Sequence, residues 1–553
     1  MNENEKYLEW KSAVKNEELA AELERISGDE DGIFDRFYKN LEFGTAGLRG
    51  ILGAGTNRMN IYTVRQATQG LAEYLKSKKD SPSVAIAYDT RHNSELFARD
   101  SAAVLAANGI KVWIYGAPAP TPMLSYAVRE RFCDAGIVIT ASHNPAQYNG
   151  YKVYGPDGCQ LSPDAAAEVT SYIEKTDVLR GALICSFDEA VNEKKIIVLP
   201  DSFWRRYYAR VLKESVDRDA HSLNDLSIVY TPLNGTGALP VVTTLSLGGF
   251  GNIEVIPEQM KPDSSFATCP SPNPEYKEAL ALALKKAEEI GADLVLATDP
   301  DCDRVGAASK EKDGYRLFTG NQIGALLLDF IIRARSENGT LPKDPVAVRS
   351  IVSSKLADLV AAHHIVKMEK VFTGFRYIGG VIAELEKNEE ADRFIFGFEE
   401  SCGYLSGTYV RDKDAVNACL LICEMANWWK LRGKTLGEAL DGLYELLGYY
   451  CDFQDNFYFE GADGAKRIAE IMDTLRKNAP ETLCGKEITY VKDYLPESNM
   501  LEFCVECNSG FIVRPSGTEP KLKIYYSVRA DSMELAEKEG EALKTAVREL
   551  LGV

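Results

Sequence analysis

Three carboxylates crowd into five residues of this chain, Asp299-Pro-Asp301-Cys-Asp303, directly after the apolar run Leu294-Val-Leu-Ala-Thr298 and directly before Arg304. Carboxylates this close repel one another unless a cation or basic side chains compensate them. An all-oxygen donor set suits a hard divalent cation, above all Mg²⁺. An EF-hand loop does not fit: its sixth position falls on Arg304, where glycine is needed, and its twelfth on Lys310, where glutamate is needed. A phosphatase using Asp299 as nucleophile would carry Thr or Val two places beyond the second acid, where this chain has Asp303. A solvated acidic turn accounts poorly for three acids.

A second stretch, Arg514-Pro-Ser516-Gly517-Thr518-Glu519-Pro520-Lys521, has the makings of an anion cradle. Gly517 lets backbone amides approach a phosphate, Ser516 and Thr518 offer hydroxyl donors, and Arg514 can take two phosphate oxygens at once. Lys521 and Lys523 alternate with Leu522 and Ile524, which puts both ammonium groups on one face of a strand. A third stretch, Gly397-Phe398-Glu399-Glu400-Ser401, offers carboxylates that accept hydrogen bonds from vicinal sugar hydroxyls. A fourth, Ile137-Val-Ile-Thr140-Ala-Ser142-His143-Asn-Pro145, ends an apolar run on a serine and a histidine. It lacks a G-x-S-x-G elbow, and sequence neighbours seldom form a nucleophile–base pair, so a serine-hydrolase triad fits weakly. A seryl group presented near a Mg²⁺ site and a phosphate cradle suits phosphoryl transfer better. Taken singly, each loop also fits an ordinary turn or helix cap.

These loops require a frame, and the chain repeats one three times. A β-branched run opens each unit, at residues 83–91, 226–237 and 345–354, and a second apolar run ends in a polar loop, at 135–145, 292–304 and 393–404. Strands alternating with helices predict mostly parallel sheets, whose ligands bind beyond the strands' carboxyl ends. Helices are expected over about residues 5–40, and seams at the helix 201–214, at a turn over 314–324 and at 447–461. Beyond the last seam the pattern changes to a helix near 462–477, short strands and a terminal helix. The fold class is therefore α/β, with three similar mixed-sheet domains and a smaller C-terminal α+β domain, bounded at 1–200, 201–318, 319–447 and 448–553.

Composition agrees with such a chain. Its 553 residues, 45% hydrophobic and 26% charged, fit roughly four domains of ordinary size. A formal net charge of −19 argues against a sequence-independent grip on nucleic acid, so the cations that hold an anionic ligand must be clustered locally. The acidic, amphipathic start and the absence of any run of about 18 apolar residues predict a cytosolic protein with no membrane partner. The twelve cysteines are scattered. The close pair Cys504 and Cys507 falls in an apparent strand, where positions three apart face opposite ways, which favours free thiols over zinc.

Together and in this order, Thr140-Ala-Ser142-His143-Asn144-Pro145, the Asp299–Arg304 loop, Gly397-Phe-Glu399-Glu400-Ser401 and Arg514–Lys521 resemble the α-D-phosphohexomutases. The likeness runs from Gly44-Thr-Ala-Gly-Leu48-Arg49-Gly50 to Tyr526 and looks closest to the phosphoglucomutase branch. It implies four domains around a central cleft, with Ser142 phosphorylated and Asp299, Asp301 and Asp303 holding Mg²⁺ together with a seryl-phosphate oxygen. Glu399 and Ser401 would contact sugar hydroxyls. Arg514, Ser516, Gly517 and Thr518, with Lys521 beside them, would bind the non-reacting phosphate. Arg49, His143 and Lys152 would line the transfer site, with Arg304 nearby. Arg376, in Thr373-Gly374-Phe375-Arg376, stands where relatives often carry lysine; a phosphate-binding role survives that change, and a general-acid role does not. The implied reaction interconverts glucose 1-phosphate and glucose 6-phosphate through glucose 1,6-bisphosphate. Mannose or pentose phosphates, a Mg²⁺-dependent phosphatase and a non-catalytic sugar-phosphate sensor are the alternatives.

Overall fold

The computed structural model describes residues 2–44, 47–217, 225–459, 461–516 and 521–553. Its first three sheets are built around one motif. In the first, Ser83–Tyr88 lies parallel to Ala135–Ile139, which pairs antiparallel with Tyr148–Tyr154. In the second, Ile228–Thr231, Leu294–Thr298 and Val305–Glu311 repeat that arrangement. In the third, Val346–Ser350, Phe394–Glu399 and Gly403–Leu405 do so again. The middle strand of each trio is buried along its whole length, which is why it reads as an unbroken apolar run and not as an alternating one.

The polar loop after each middle strand is the connection back to its antiparallel partner. Each of these tips contains a non-glycine residue in the left-handed region: Ser142 (φ 51°), Cys302 (φ 53°) and Cys402 (φ 60°). That conformation is disfavoured for residues with a Cβ and is retained only where the surroundings impose it.

The first sheet has six strands, with Leu48–Ile51 at the edge beside Tyr148–Tyr154. Helices Glu3–Ala13, Glu17–Arg25 and Glu30–Phe37 precede it and share its core through Trp10, Leu23 and Phe37. A continuous apolar core joins parts of all three repeated units. The first and third dock closely: a Cβ on Gly379 would lie 2.5 Å from Cys159 Sγ and 2.8 Å from the Arg411 carbonyl, so only glycine fits that seam.

The fourth sheet is antiparallel throughout, with six strands, and carries its own core of residues such as Met472, Phe503, Leu522 and Val547 beneath helices Gly461–Lys477 and Met533–Leu551. It meets the third unit through a small apolar cluster of Val352, Tyr494, Met500, Ile512 and Tyr525.

Three local readings change. The stretch 314–324 is not a turn: Gly314–Phe318 is a strand paired with Val305–Glu311, its Tyr315 and Leu317 packed on the second unit's core, and helix Gly320–Glu337 starts directly after it. The seam at 447–461 contains the ten-residue strand Tyr449–Tyr458 of the fourth sheet. Cys507 is not in a strand with Cys504 but in the turn joining Leu501–Val505 to Ser509–Pro515, where Cys507 and Asn508 are both left-handed. Both thiols are free. Among the described residues no helix is long and apolar enough to cross a membrane.

Candidate active site

The serine tip of the first unit meets the aspartate tip of the second. Ser142 is 4% exposed, and its hydroxyl donates to Asp299 Oδ2 at 2.8 Å. Its own N–H donates to Thr140 Oγ1 at 2.8 Å, which fixes the turn. His143 Nδ1 lies 3.2 Å from Ser142 Oγ, so these two sequence neighbours do approach one another, contrary to expectation. Ser142 itself lies in the left-handed region, at φ 51°. Burial, with Arg304 and Arg49 close by, holds the His143 pKa well below its ordinary value, so the imidazole is neutral near pH 7. Arg49, on the edge strand Leu48–Ile51, reaches Asn144 Oδ1 at 3.5 Å.

Asp299, Asp301 and Asp303 are buried, and one oxygen from each lies within 4.8 Å of the others. Asp299 Oδ1 is engaged by the N–H groups of Asp303 and Arg304 at 3.1 and 3.0 Å. Asp301 Oδ2 accepts from Lys152 Nζ and Thr121 Oγ1, each at 3.0 Å. Burial opposes ionisation of Asp301, but Lys152 and these hydrogen bonds hold its pKa below the ordinary carboxylate range. Burial and the two neighbouring acids push Asp299 the other way, well upward. Asp301 Oδ1 and Asp303 Oδ1 are buried without a hydrogen-bond partner. Buried acceptors are almost always satisfied, so two orphaned carboxylate oxygens beside Asp299 and a seryl hydroxyl fit a hard divalent cation.

Arg304 links this pair of tips to the other two. It forms an ion pair with Glu275 at 2.7 Å and lies 3.8 Å from Asp303. Its charge is felt by His143 on one side and by Lys523 of the fourth unit on the other. Glu399 is buried, with Oε1 accepting from the Gly374 N–H at 2.7 Å at the start of helix Phe375–Lys387. Ser401 and Glu400 line a cavity of about 180 Å³ shared with Glu275, Asn321 and Tyr525. Arg514 lies opposite Lys523 in the fourth sheet, and the Ser516 N–H donates to the Lys521 carbonyl at 2.7 Å. Lys521 Nζ donates to Tyr458 at 2.9 Å. Gly517 and Thr518 lie outside the described residues. Arg376 lies over the Tyr377 ring and lines a cavity of about 440 Å³ with Leu71, Cys159 and Leu161 of the first unit.

Sequence reasoning missed Lys413 and Thr121. Lys413 is buried, with Nζ 3.2 Å from Asp303 and 2.9 Å from Asp412. Burial works against its charge, and the two aspartates more than offset that, so its pKa is raised. Its signal was present: four consecutive charges, Arg411-Asp-Lys-Asp414, stand between apolar runs. Thr121 opens helix Thr121–Glu130 and also donates its N–H to the Asp301 carbonyl at 2.9 Å. Nothing local distinguishes it.

Glu400 makes the site sensitive to pH. Burial, and then Glu399 beside it, push its carboxyl up to about 7. A folded pKa above the unfolded one means that the stabilising form is the protonated one. That contribution is complete below about pH 4.3 and gone once the pH has passed 7. Glu400→Gln, neutral throughout, is therefore expected to melt above the wild type at pH 8, with the difference closing towards pH 4. Equal melting temperatures at pH 8 would refute the assignment.

Most of this chain matches one family. Residues 40–180, 205–314 and 319–447 match domains I, II and III of the family described as phosphoglucomutase/phosphomannomutase, alpha/beta/alpha. A phosphoglucomutase of Staphylococcus haemolyticus is 38% identical over 519 residues, covering 90% of this chain and 92% of its own length. Among solved structures, the phosphoglucomutase parafusin of Paramecium, in an open form, superposes with a TM-score of 0.71 at 18% identity, covering 93% of this chain and 95% of its own. The N-acetylphosphoglucosamine mutase of Aspergillus fumigatus, solved with GlcNAc-6P and magnesium, gives 0.52 at 16% identity, covering 93% and 96%.

Proposed function

The chain belongs to the phosphoglucomutase/phosphomannomutase family of α-D-phosphohexomutases, and from that premise we propose that it interconverts glucose 1-phosphate and glucose 6-phosphate through a phosphorylated Ser142. The reading rests above all on the Ser142 hydroxyl, buried and 2.8 Å from a carboxylate of the aspartate cluster.

In the first transfer, the free hydroxyl of the sugar attacks the phosphorus of seryl phosphate. The new P–O bond forms on the sugar, the bond to Ser142 Oγ breaks, and glucose 1,6-bisphosphate results. The bisphosphate turns over in the cleft, and its other phosphoryl group returns to Ser142, giving the isomeric monophosphate. His143, neutral and 3.2 Å from the seryl oxygen, takes the proton of Ser142 when that hydroxyl attacks in the return transfer, and in the first transfer the same nitrogen, once protonated, gives it back as the bond to Oγ breaks. Lys152, which donates to Asp301, steadies charge on the transferring group together with Arg49. Asp299, Asp301 and Asp303 would hold Mg²⁺, which neutralises charge on the phosphoryl oxygens; the magnesium in the Aspergillus mutase agrees with that choice. Glu399 and Ser401 receive the ring hydroxyls. Arg514, Ser516, Gly517, Thr518 and Lys521 hold the phosphate that does not react. Arg304 stands between the two phosphate positions. Arg376, beside Tyr377 on the cavity it shares with the first unit, is a further candidate for a phosphate.

The test is turnover of glucose 1-phosphate, mannose 1-phosphate and ribose 1-phosphate side by side, with catalytic glucose 1,6-bisphosphate. Glucose 1-phosphate is expected to give the highest kcat/KM. Faster turnover of either rival would move the substrate assignment, and release of inorganic phosphate in place of isomer would replace a mutase with a phosphatase.

A further inference from the structure

Arg91 lies just beyond the opening strand of the first unit, and its side chain is fully buried. Its guanidinium closes the serine loop from behind. Nη1 donates to the carbonyls of Pro145 at 3.0 Å and Tyr148 at 3.1 Å. Nη2 donates to the Ser142 carbonyl at 2.6 Å and also to that of Asn144. Four carbonyls across residues 142–148 thus converge on one planar cation. The charge is balanced by Asp89, 3.3 Å away and equally buried, which is itself held by the Arg91 N–H at 2.9 Å and the Ser94 hydroxyl at 2.6 Å. On the other side the guanidinium lies 5.0 Å from the ring centre of Phe266, a buried residue of the second unit.

We propose that Arg91 is the positioning residue for the Ser142 nucleophile, a claim that rests on reading Ser142 as the phosphoryl carrier. Ser142 sits at φ 51°, a conformation that costs free energy for any residue but glycine. With its carbonyl and those that follow anchored to a fixed fork, the backbone cannot relax, and Oγ stays aimed at Asp299. The anchor must also hold while the serine gains and loses a phosphoryl group bearing nearly two negative charges. Lysine cannot replace it: an ammonium is a compact point charge with three donors, and it cannot spread over four carbonyls in a plane. Arg91 touches neither substrate nor transferring group, so its effect passes through the backbone alone.

The experiment compares wild type, Arg91→Lys and Arg91→Ala in kcat and KM for glucose 1-phosphate, in intact mass, and with added guanidinium chloride at constant ionic strength. A displacement of about 1 Å costs on the order of 10²-fold in rate. Arg91→Lys is therefore expected to lose about that factor in kcat with little change in KM, since the phosphate cradle lies on another unit. Arg91→Ala is expected to lose more and to recover part of it with guanidinium but not with sodium chloride. Wild-type kcat in Arg91→Lys, a loss confined to KM, or a loss in Arg91→Ala that guanidinium leaves untouched would overturn the proposal. So would variants too unstable to purify, which would make Arg91 a residue of the fold and not of the loop. If wild-type protein carries no adduct of about 80 Da that disappears in Ser142→Ala, the nucleophile reading falls instead.

Discussion

Ser142→Ala is expected to leave a folded protein whose kcat is lower by roughly 10⁴-fold or more, because the covalent carrier of the phosphoryl group is gone. The change removes one oxygen, with its hydrogen bond to Asp299 and its contact with His143, while alanine supports the same backbone apart from the left-handed strain already present. The melting temperature should therefore shift little. KM and ligand affinity should survive, because Arg514 and Glu399, proposed to hold the non-reacting phosphate and the ring, lie on other units. The decisive readings are intact mass and a coupled assay with glucose 1,6-bisphosphate supplied. Wild type carries the phosphoryl adduct and turns over; the variant carries none, and added bisphosphate does not revive it. Near-normal turnover would remove this serine from the chemistry.

The second large effect belongs to Asp301. Its Oδ2 holds Lys152 and Thr121, and its Oδ1 is one of the two orphaned oxygens of the aspartate cluster. Asp301→Asn keeps the shape and removes the charge, so two losses follow. Lys152 is left buried without its counter-ion, which costs about 3–5 kcal/mol unless it sheds its proton. The cluster also binds a divalent cation more weakly, and at fixed Mg²⁺ the rate should fall on the order of 10²–10³-fold. Titrating Mg²⁺ separates the two: rate recovers in part at high metal, and the melting temperature stays low. In the wild type, a chelator should abolish turnover reversibly without unfolding the chain. Turnover indifferent to chelator would end the metal assignment.

How much of this was legible beforehand follows from the range of the contacts involved. The three middle strands read as unbroken apolar runs because both their faces are covered, and the polar tips follow at once, so the Ser142, Asp299 and Glu399 loops could be found one unit at a time. Gly314–Phe318 reads as a turn because its pairing with Val305–Glu311 leaves it at a sheet edge, with only Tyr315 and Leu317 packed inward. What no local pattern carries is docking between units. Thr121 reaches Asp301 across 180 positions and Lys152 reaches it across 149. The Lys413 contact with Asp303 arises only when the third unit is set against the second. The 3.2 Å approach of His143 to Ser142 depends on the side-chain conformations of both, which no sequence pattern specifies.

The left-handed tips at Ser142, Cys302 and Cys402 show one bend of the main chain used three times with unlike cargo. At the first tip the bend exhibits a hydroxyl, at the second it gathers acids, and at the third it follows a pair of glutamates. The scaffold repeats while the side chains at its three tips do not. Such a division of labour lets each tip be retuned for another sugar or another ion without redrawing the architecture, and it denies any one unit, expressed alone, the means to complete the chemistry.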